Sequence, residues 1–271
     1  MTGRVVRQGV LLVMAILTLY PVWFMVSTAF KTQHQYLHSP YALPWPLSVA
    51  NFGDAIHGAT FFLWFKNSAI LTLGAVILST LAAALAAFAI ARMEWLGRDV
   101  MLAISTALMV VPPVVMLMPL FILFTNLNLV STYQGVILIY AGLTLPFSIY
   151  MLTNFFRAIP NELIESALTD GARNFAVLWR IVLPLSAPAL VTLVVVNGLW
   201  VWNELLIALV FLPEDQLKTL MVGVTVFQGR YSLDVPVLMA GMLLASVPML
   251  ILYLVGQRFF IRGLTSGAIK G

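Results

Sequence analysis

Six long blocks of apolar residues run through this chain of 271 residues, and no other feature restricts its fold so strongly. A helix needs about 20 residues to cross a bilayer, and each block is long enough. Backbone in lipid has to satisfy its own hydrogen bonds, so we expect every block to be helical. The expected spans are residues 10–30, 68–91, 101–124, 135–156, 187–211 and 237–260.

The composition agrees with a membrane-embedded chain. Hydrophobic residues make up 62% and charged residues 9%, whereas about 25% of the residues of a soluble domain are charged. Arg4 and Arg7 precede the first block and small residues lie near its end, so a cleaved signal peptide is an alternative to a retained span. We favour the span, because the apolar run exceeds the roughly 7–15 residues of a signal sequence and contains Pro21 and Trp23.

The distribution of basic residues predicts the orientation. Six spans put both termini on one side, and cytoplasmic segments carry an excess of lysine and arginine. One side holds only four basic residues, Lys31, Lys66, Lys218 and Arg230. The other side holds ten, namely Arg4, Arg7, Arg92, Arg98, Arg157, Arg173, Arg180, Arg258, Arg262 and Lys270. We therefore expect both termini in the cytoplasm, and the net charge of +4 needs no nucleic-acid partner to explain it.

The expected outer loop spans residues 31–66. Pro40, Pro44 and Pro46 argue against a regular helix there, while Trp45 and Phe52 indicate packing over the outer mouth instead of disorder. His34 and His38 are four residues apart, a spacing that could ligate a metal on a helix. We interpret them as a solvated loop pair and predict no metal site.

Standard catalytic motifs are missing from the sequence. There is no glycine-lysine dipeptide for a phosphate-binding loop and no cysteine for a nucleophile or metal cluster. We expect a transport protein without catalytic residues that binds no cofactor itself. An ion-coupled secondary carrier remains an alternative, although no interrupted helix pair repeats between the halves of the chain.

The expected cytoplasmic loop at 157–186 contains the densest mixture of charges. Pro160, Glu162 and Glu165 favour the start of a short helix, and Gly171 favours its end. One apolar stripe should carry Leu163, Ile164, Ala167 and Leu168, and a second amphipathic piece should carry Phe175, Leu178, Trp179 and Val182. From the residues alone, the loop could either rest on lipid headgroups or dock a partner.

A resemblance to a known family favours docking. Glu165, Ser166 and Ala167, followed by Gly171 and then by Ile181, Leu183 and Pro184, resemble the EAA motif of ATP-binding-cassette importer permeases. Ser166 departs from the usual second alanine. The stretches "ALPWPLSVANFGDAI", "WVWNELLIAL" and "GLTSGAIKG" are similar to the carbohydrate-uptake branch, specifically the maltose-type second permease subunit.

The resemblance implies one all-α permease domain over residues 1–271, with six transmembrane helices and a cytoplasmic coupling helix, as in type I importers. It implies that Pro160 to Gly171 docks into an ATPase subunit, with Glu165 and Asp170 available for partner bases or for capping. It also implies that the tail at 261–271 reaches the ATPase interface through Thr265, Ser266 and Gly267. Otherwise this small, polar tail would be expected to fray.

The implied assembly contains a second homologous permease, two ATPase subunits that hold ATP and Mg, and an extracytoplasmic sugar-binding protein. Its location would be the plasma (inner) membrane of a bacterium or archaeon. The expected function is sugar import by alternating access. A polyol phosphate or an amino acid remains an alternative solute.

Two spans carry features expected in a translocation path. Pro112, Pro113 and Pro119 should break or kink the third span, as tolerated kinks or as part of a moving pore-lining segment. In the fifth span, Asn197, Trp200 and Glu204 share one helical face that combines hydrogen-bonding groups with an aromatic plane. We predict that they border the translocation cavity and that Asn203 and Glu204 close its outer end. Snorkelling of Glu204 to outer water is the alternative.

Overall fold

The computed structural model describes residues 2–56, 59–230 and 234–268, and helices account for most of this part of the chain. No strand occurs within these ranges. The helices are α1 Thr2–Ala29, α2 Gln33–His38, α3 Ala50–Ile56, α4 Ala59–Arg92, α5 Arg98–Leu108, α6 Pro113–Asn126, α7 Tyr133–Arg157, α8 Asn161–Thr169, α9 Asn174–Val177, α10 Leu183–Leu185, α11 Ala187–Asn203, α12 Leu206–Phe211, α13 Leu220–Arg230 and α14 Val235–Ala268. A π-helical turn, Leu178–Val182, joins α9 to α10.

Within the described residues, four helical segments are long and apolar enough to cross a membrane: Val6–Ala29, Thr60–Arg92, Tyr133–Arg157 and Val235–Gln257. Two bent helix pairs raise the number to six if each pair forms one span. The first pair is α5 with α6, and the second joins Asn174–Leu185 to α11. The prediction of an all-helical membrane protein is confirmed.

The third predicted span is two helices that meet at an angle of 104° instead of one helix. Pro112 is extended, with φ −65° and ψ 132°, and Pro113 begins α6. A proline at the first helical position loses no hydrogen bond, whereas inside a helix it removes one. The break expected at Pro112 and Pro113 is therefore present, while Pro119 is accommodated inside α6.

The fifth predicted span, 187–211, is also interrupted. Helix α11 ends at Asn203, and Glu204 is extended, with φ −70° and ψ 127°, before α12 begins at Leu206. The expectation that Glu204 lies within a continuous helix is wrong. Apolarity alone cannot reveal this break, because the apolar residues continue on both sides of it.

The expected outer loop contains two short helices, α2 and α3, and the first residues of α4, which begins at Ala59. Thr32 and Gln35 form a capping box that starts α2. The expectation of no regular helix is therefore wrong for most of this loop, and it holds for residues 39–49, which contain the three prolines. Phe52 packs against Phe30, with ring centroids 5.0 Å apart, as the packing prediction requires. Trp45, by contrast, is 85% exposed, so its predicted packing within the chain is wrong.

The prediction that the two histidines lie in a loop is also wrong. His34 and His38 lie on α2, where a helical turn brings their rings into a stack with centroids 4.2 Å apart. No group of three or more residues able to hold a metal ion occurs in the part of the chain that the structure describes.

Contacts divide the chain into two compact units, residues 1–65 with 219–247, and residues 66–218 with 248–271. In the first unit, residues 6–23 of α1 are exposed, whereas Ser27, Thr28 and Ala29 at its end are buried. Gly223 approaches Trp64 so closely that a side-chain carbon on the glycine would lie 2.1 Å from the ring. The prediction of one permease domain over residues 1–271 describes a functional unit. A division by contacts does not test it, so it stays a prediction.

The second unit contains two apolar clusters, and α7 contributes to both. Near the end of α7, Leu152 and Phe156 join buried alanines of α4 and Ile164 of α8. Near its start, Val136 and Tyr140 join residues of α4 and α12. Small residues permit close helix approach, which agrees with a packing role for the alanine-rich run of α4.

Candidate functional site

Helix α8 occupies the position predicted for the coupling helix. It follows Pro160 and packs through Ile164, which is 8% exposed, and through Ala167 onto the cluster at the end of α7. The predicted apolar stripe is wider than the observed contact, because Leu163 and Leu168 are 45% and 43% exposed. Only a narrow arc of this helix therefore faces the core, and the rest of its surface is open.

The end of α8 depends on a glycine. Gly171 has φ +84°, its N–H donates to the carbonyl of Leu168 at 3.0 Å, and the N–H of Ala172 donates to the carbonyl of Ala167 at 2.9 Å. These two bonds define a Schellman motif, which satisfies the last carbonyls of a helix. A side-chain carbon on Gly171 would meet no atom within 4 Å. Glycine suits this position because of its positive φ angle and not because space is short. The predicted end of α8 at Gly171 is confirmed.

The EAA-like residues of α8 leave polar groups on the surface. Glu165, Ser166 and Asp170 are exposed, and the Ser166 hydroxyl donates within the helix to the carbonyl of Leu163 at 3.3 Å. The ion pairs of the described residues use Asp99 and Asp215, so neither Glu165 nor Asp170 has a basic partner there. Their carboxylates are available to another molecule.

Arg92, at the end of α4, fixes the start of α8 and was not predicted as a site residue. One guanidinium nitrogen donates to Asn161 Oδ1 at 2.5 Å. The other terminal nitrogen donates to the carbonyl of Ile159 at 2.5 Å and to that of Phe156. The guanidinium therefore joins α4 to the α7–α8 corner. Sequence spacing gives no signal for this contact, because the partners lie more than 60 residues away.

The second half of the EAA-like motif follows α8 through a π-helical turn. Ile181 and Leu183 pack against the same apolar cluster, while Pro184 is exposed. The predicted common face of Phe175, Leu178, Trp179 and Val182 is wrong, because Leu178 and Val182 are buried whereas the two aromatic rings are exposed and in contact. A wider turn changes the angle between successive side chains, and the α-helical spacing no longer applies.

A cavity of about 510 Å³ lies beside the break between α5 and α6. It is mostly apolar, and its lining comes from α6, α7, α11 and the end of α5, including Met109, Pro113, Met116, Pro146 and Trp200. Among the four residues predicted for the translocation path, Trp200 lines this cavity. Its side chain is 37% exposed.

The other predicted path residues make different contacts. Asn197 is 2% exposed and donates to Ser148 Oγ on α7 at 2.9 Å, so it lies in the packing between two helices. Asn203 is exposed and donates to the carbonyl of Leu199 at 2.7 Å. The predicted shared face therefore does not point as a whole into this cavity.

Glu204 links the end of α11 to two other helices. One carboxylate oxygen accepts from the hydroxyl of Tyr140 at 2.8 Å and from the amides of Ile207 and Ala208 at 3.0 and 3.3 Å. The Tyr140 ring also meets the Trp200 ring edge-to-face at 6.0 Å. Glu204 thus caps α12 and holds the tyrosine that supports Trp200 at the cavity. Tyr140 was not predicted as a site residue.

The predicted C-terminal tail is helical where the structure describes it. Thr265, Ser266 and Gly267 lie in the last part of α14, which continues to Ala268. The side chains beyond Gln257 and all of residues 269–271, with Lys270, lie outside the described part. Contact with an ATPase stays a prediction.

Comparison with known proteins identifies the family. Residues 79–264, more than half of the chain, match the family described as binding-protein-dependent transport system inner membrane component. The protein ORF2 of Caldicellulosiruptor sp. (strain Rt8B.4), named as an ABC transporter permease protein, is 38% identical over 252 residues, 93% of this chain and 91% of its own. The diacetylchitobiose uptake system permease protein DasC of Streptomyces coelicolor is 32% identical over 270 residues, 99% of this chain and 98% of its own.

A solved structure has the same fold. It is a chain of a bacterial ABC transporter involved in the import of the acidic polysaccharide alginate, with a TM-score of 0.84 and 96% coverage of both chains at 22% sequence identity. The family match and the identity to the relatives go beyond fold. The chain belongs to the inner membrane components of binding-protein-dependent transport systems.

Proposed function

We propose that this chain is a membrane-spanning permease subunit of an ATP-driven sugar importer. It forms half of the translocation path with a second homologous permease, and two ATP-binding-cassette subunits hold ATP and Mg. An extracytoplasmic sugar-binding protein delivers the solute. The permease itself carries no catalytic residue, and it converts closure of the ATPase pair into alternating access.

The observation that carries this proposal is the geometry of α8. A helix that is to transmit a displacement needs a fixed attachment on one side and an open face on the other. Ile164 and the Arg92 contacts attach α8 to the membrane-spanning helices, while Glu165 and Asp170 face outward. The Schellman motif at Gly171 fixes its end. These features support docking to an ATPase over passive contact with lipid headgroups.

Carbohydrate is the solute class that the comparisons favour. DasC is named for diacetylchitobiose, and the transporter of the similar solved structure imports alginate. The indole of Trp200 at the cavity supports the same class, because the apolar face of a sugar ring can rest on an aromatic plane. A polyol phosphate or an amino acid is less well supported, and family membership argues against an ion-coupled carrier.

The orientation with both termini in the cytoplasm belongs to the proposal. In the second unit, Arg157 lies 3.6 Å from Asp99, and Arg92 contacts the same end of α7. At the other end of α7, the Tyr133 hydroxyl donates to Asn67, which in turn donates to the carbonyl of Lys218. The basic cluster and the predicted outer segments thus lie at opposite ends of one helix, which supports the positive-inside assignment.

Copurification of the tagged chain with an ATP-binding-cassette subunit tests the docking role. Glu165→Ala should reduce the amount of ATPase recovered, because it removes an exposed acid from the docking face. The matched control is Glu94→Ala, which removes another exposed acid between α4 and α5. Equal recovery from both variants and from the unchanged chain would show that Glu165 only supports the N-terminal half of its helix.

A further inference from the structure

A stretch near the end of α1 exposes apolar side chains at every second position. Tyr41, Leu43, Trp45, Leu47 and Val49 are between 62% and 85% exposed. Residues 39–49 contain no charged side chain. Exposure of five large apolar groups to water is unfavourable by about 25 cal/mol for each Å². We call residues 41–49 the apolar ribbon and ask what covers it.

Four backbone carbonyls of the ribbon and of the turn before it accept hydrogen bonds from side chains of this chain. Lys31 is 1% exposed and its ammonium donates to the carbonyls of Ser39 and Pro40 at 3.3 and 2.5 Å. Gln35 donates to the carbonyls of Trp45 and Pro46 at 2.8 and 3.1 Å.

Two amides of the ribbon donate within the chain, and that of Ala42 donates to the carbonyl of Ser39 at 3.3 Å. The N–H of Ser48 donates to the carbonyl of Phe30 at 2.8 Å. Pro44 and Pro46 have no N–H to satisfy. Irregular backbone is excluded from hydrocarbon unless its polar groups have partners, so this stretch can lie only at the interface, where water and headgroups satisfy its other amides.

The first residue of the ribbon lies beside the last turns of α1. The ring of Tyr41 contacts the ring of Phe24, with centroids 6.0 Å apart. Phe24 precedes Ala29, the end of α1, by five residues, or about 7.5 Å at the helical rise of 1.5 Å per residue. The chain therefore folds back along α1 toward the bilayer after leaving it.

We infer that the ribbon inserts into the lipid interface beside α1, with Trp45 and Tyr41 at the level of the headgroups. Tryptophan and tyrosine are enriched at this level because their rings have an apolar body and a polar group. Lipid fits better than a protein partner. Residues 10–23 of α1 expose an apolar surface, as expected of a helix in lipid, and Tyr41 lies beside Phe24 at the end of that surface.

Depth-dependent fluorescence quenching tests the inference, and the natural absence of cysteine makes single labels specific. The full chain carries either Leu43→Cys or Leu47→Cys as its single cysteine. Each variant is labelled with an environment-sensitive fluorophore and placed in phosphatidylcholine vesicles. The control is Asp54→Cys on the exposed side of α3. The two ribbon labels and the control label are each measured in the permease alone and in the assembled transporter. The quenchers are aqueous iodide and nitroxide-bearing lipid.

The inference requires that lipid nitroxide quenches the ribbon labels in both preparations, with blue-shifted emission and little quenching by iodide, while the Asp54→Cys label shows the reverse. Iodide quenching of both ribbon labels in both preparations would overturn it. So would protection from both quenchers that arises only in the assembled transporter, since a protein would then cover the ribbon. The readout needs neither ATP nor a solute, so its result is independent of transport activity.

Discussion

A single carboxylate, that of Glu204, joins the end of α11 to the start of α12. It accepts hydrogen bonds from two amides of α12 and from Tyr140, a residue 64 positions earlier in the chain. Sequence periodicity predicts Glu204 on a helical surface that faces the sugar. Periodicity shows which residues share a helical face, but it does not show hydrogen-bond partners that are distant in the sequence. The structure adds a positioning role, through Tyr140, for the ring that lines the cavity.

Removal of this carboxylate should destabilise the fold. Glu204→Ala and Tyr140→Phe should each lower the free energy of unfolding by about 1–3 kcal/mol. The first removes the carboxylate partner of the buried Tyr140 hydroxyl, and the second removes a hydrogen bond to a charged group. Their effects should not add in a double-mutant cycle measured by denaturant unfolding in detergent. Asn203→Ala is the control and should change stability by less than about 0.5 kcal/mol. Additive effects of the first two substitutions would show that the bond contributes little.

Substitutions at Gly171 should separate backbone strain from steric bulk. A residue other than glycine at its left-handed angles costs roughly 1–2 kcal/mol, and asparagine tolerates these angles best. Gly171→Leu should insert into the membrane normally but lose transport, because the helix end is redirected. Gly171→Asn should keep most activity, since the space around the residue is open. Normal solute uptake by Gly171→Leu would contradict a coupling role for this turn.

At the level of the elements, the sequence predicts helices well and their interruptions poorly. Long apolar blocks identify the spans, and the glycine stop of α8 is visible in the sequence because it depends on neighbouring residues. The break at Glu204 between α11 and α12 and the π-helical turn at 178–182 cannot be predicted from the local sequence, because they depend on contacts between helices. Helix α2 is predictable from neighbouring residues, because Thr32 and Gln35 form its capping box. The prolines that follow it in the same loop favoured irregular structure instead.

The attachment of α8 through Arg92 gives an element-scale prediction. Arg92→Met removes the donors that join α4 to Asn161 and to the last carbonyls of α7. The assembled transporter should then continue to hydrolyse ATP while solute uptake falls, because motion of α8 no longer reaches the spans. Arg4→Met, at an exposed arginine in α1, is the matched control and should keep the two activities coupled. Parallel loss of both activities in the Arg92 variant would argue for a role in assembly alone.

On the scale of the whole molecule, orientation is the property that the proposed coupling needs most. Single cysteines at positions 38, 216, 96 and 174 replace exposed residues, so none should disturb packing. A membrane-impermeant thiol reagent should label positions 38 and 216 in intact cells, and positions 96 and 174 only after lysis. The reverse pattern would place α8 outside the cell, where no ATPase could reach it.

Solute uptake by the reconstituted assembly tests the central claim most directly. Proteoliposomes should contain the chain with its second permease and ATPase subunits, with binding protein outside and ATP inside. The account predicts uptake of a labelled oligosaccharide that requires ATP and the binding protein and persists when ionophores collapse the ion gradients. Uptake driven by an imposed ion gradient in the absence of ATP would contradict it.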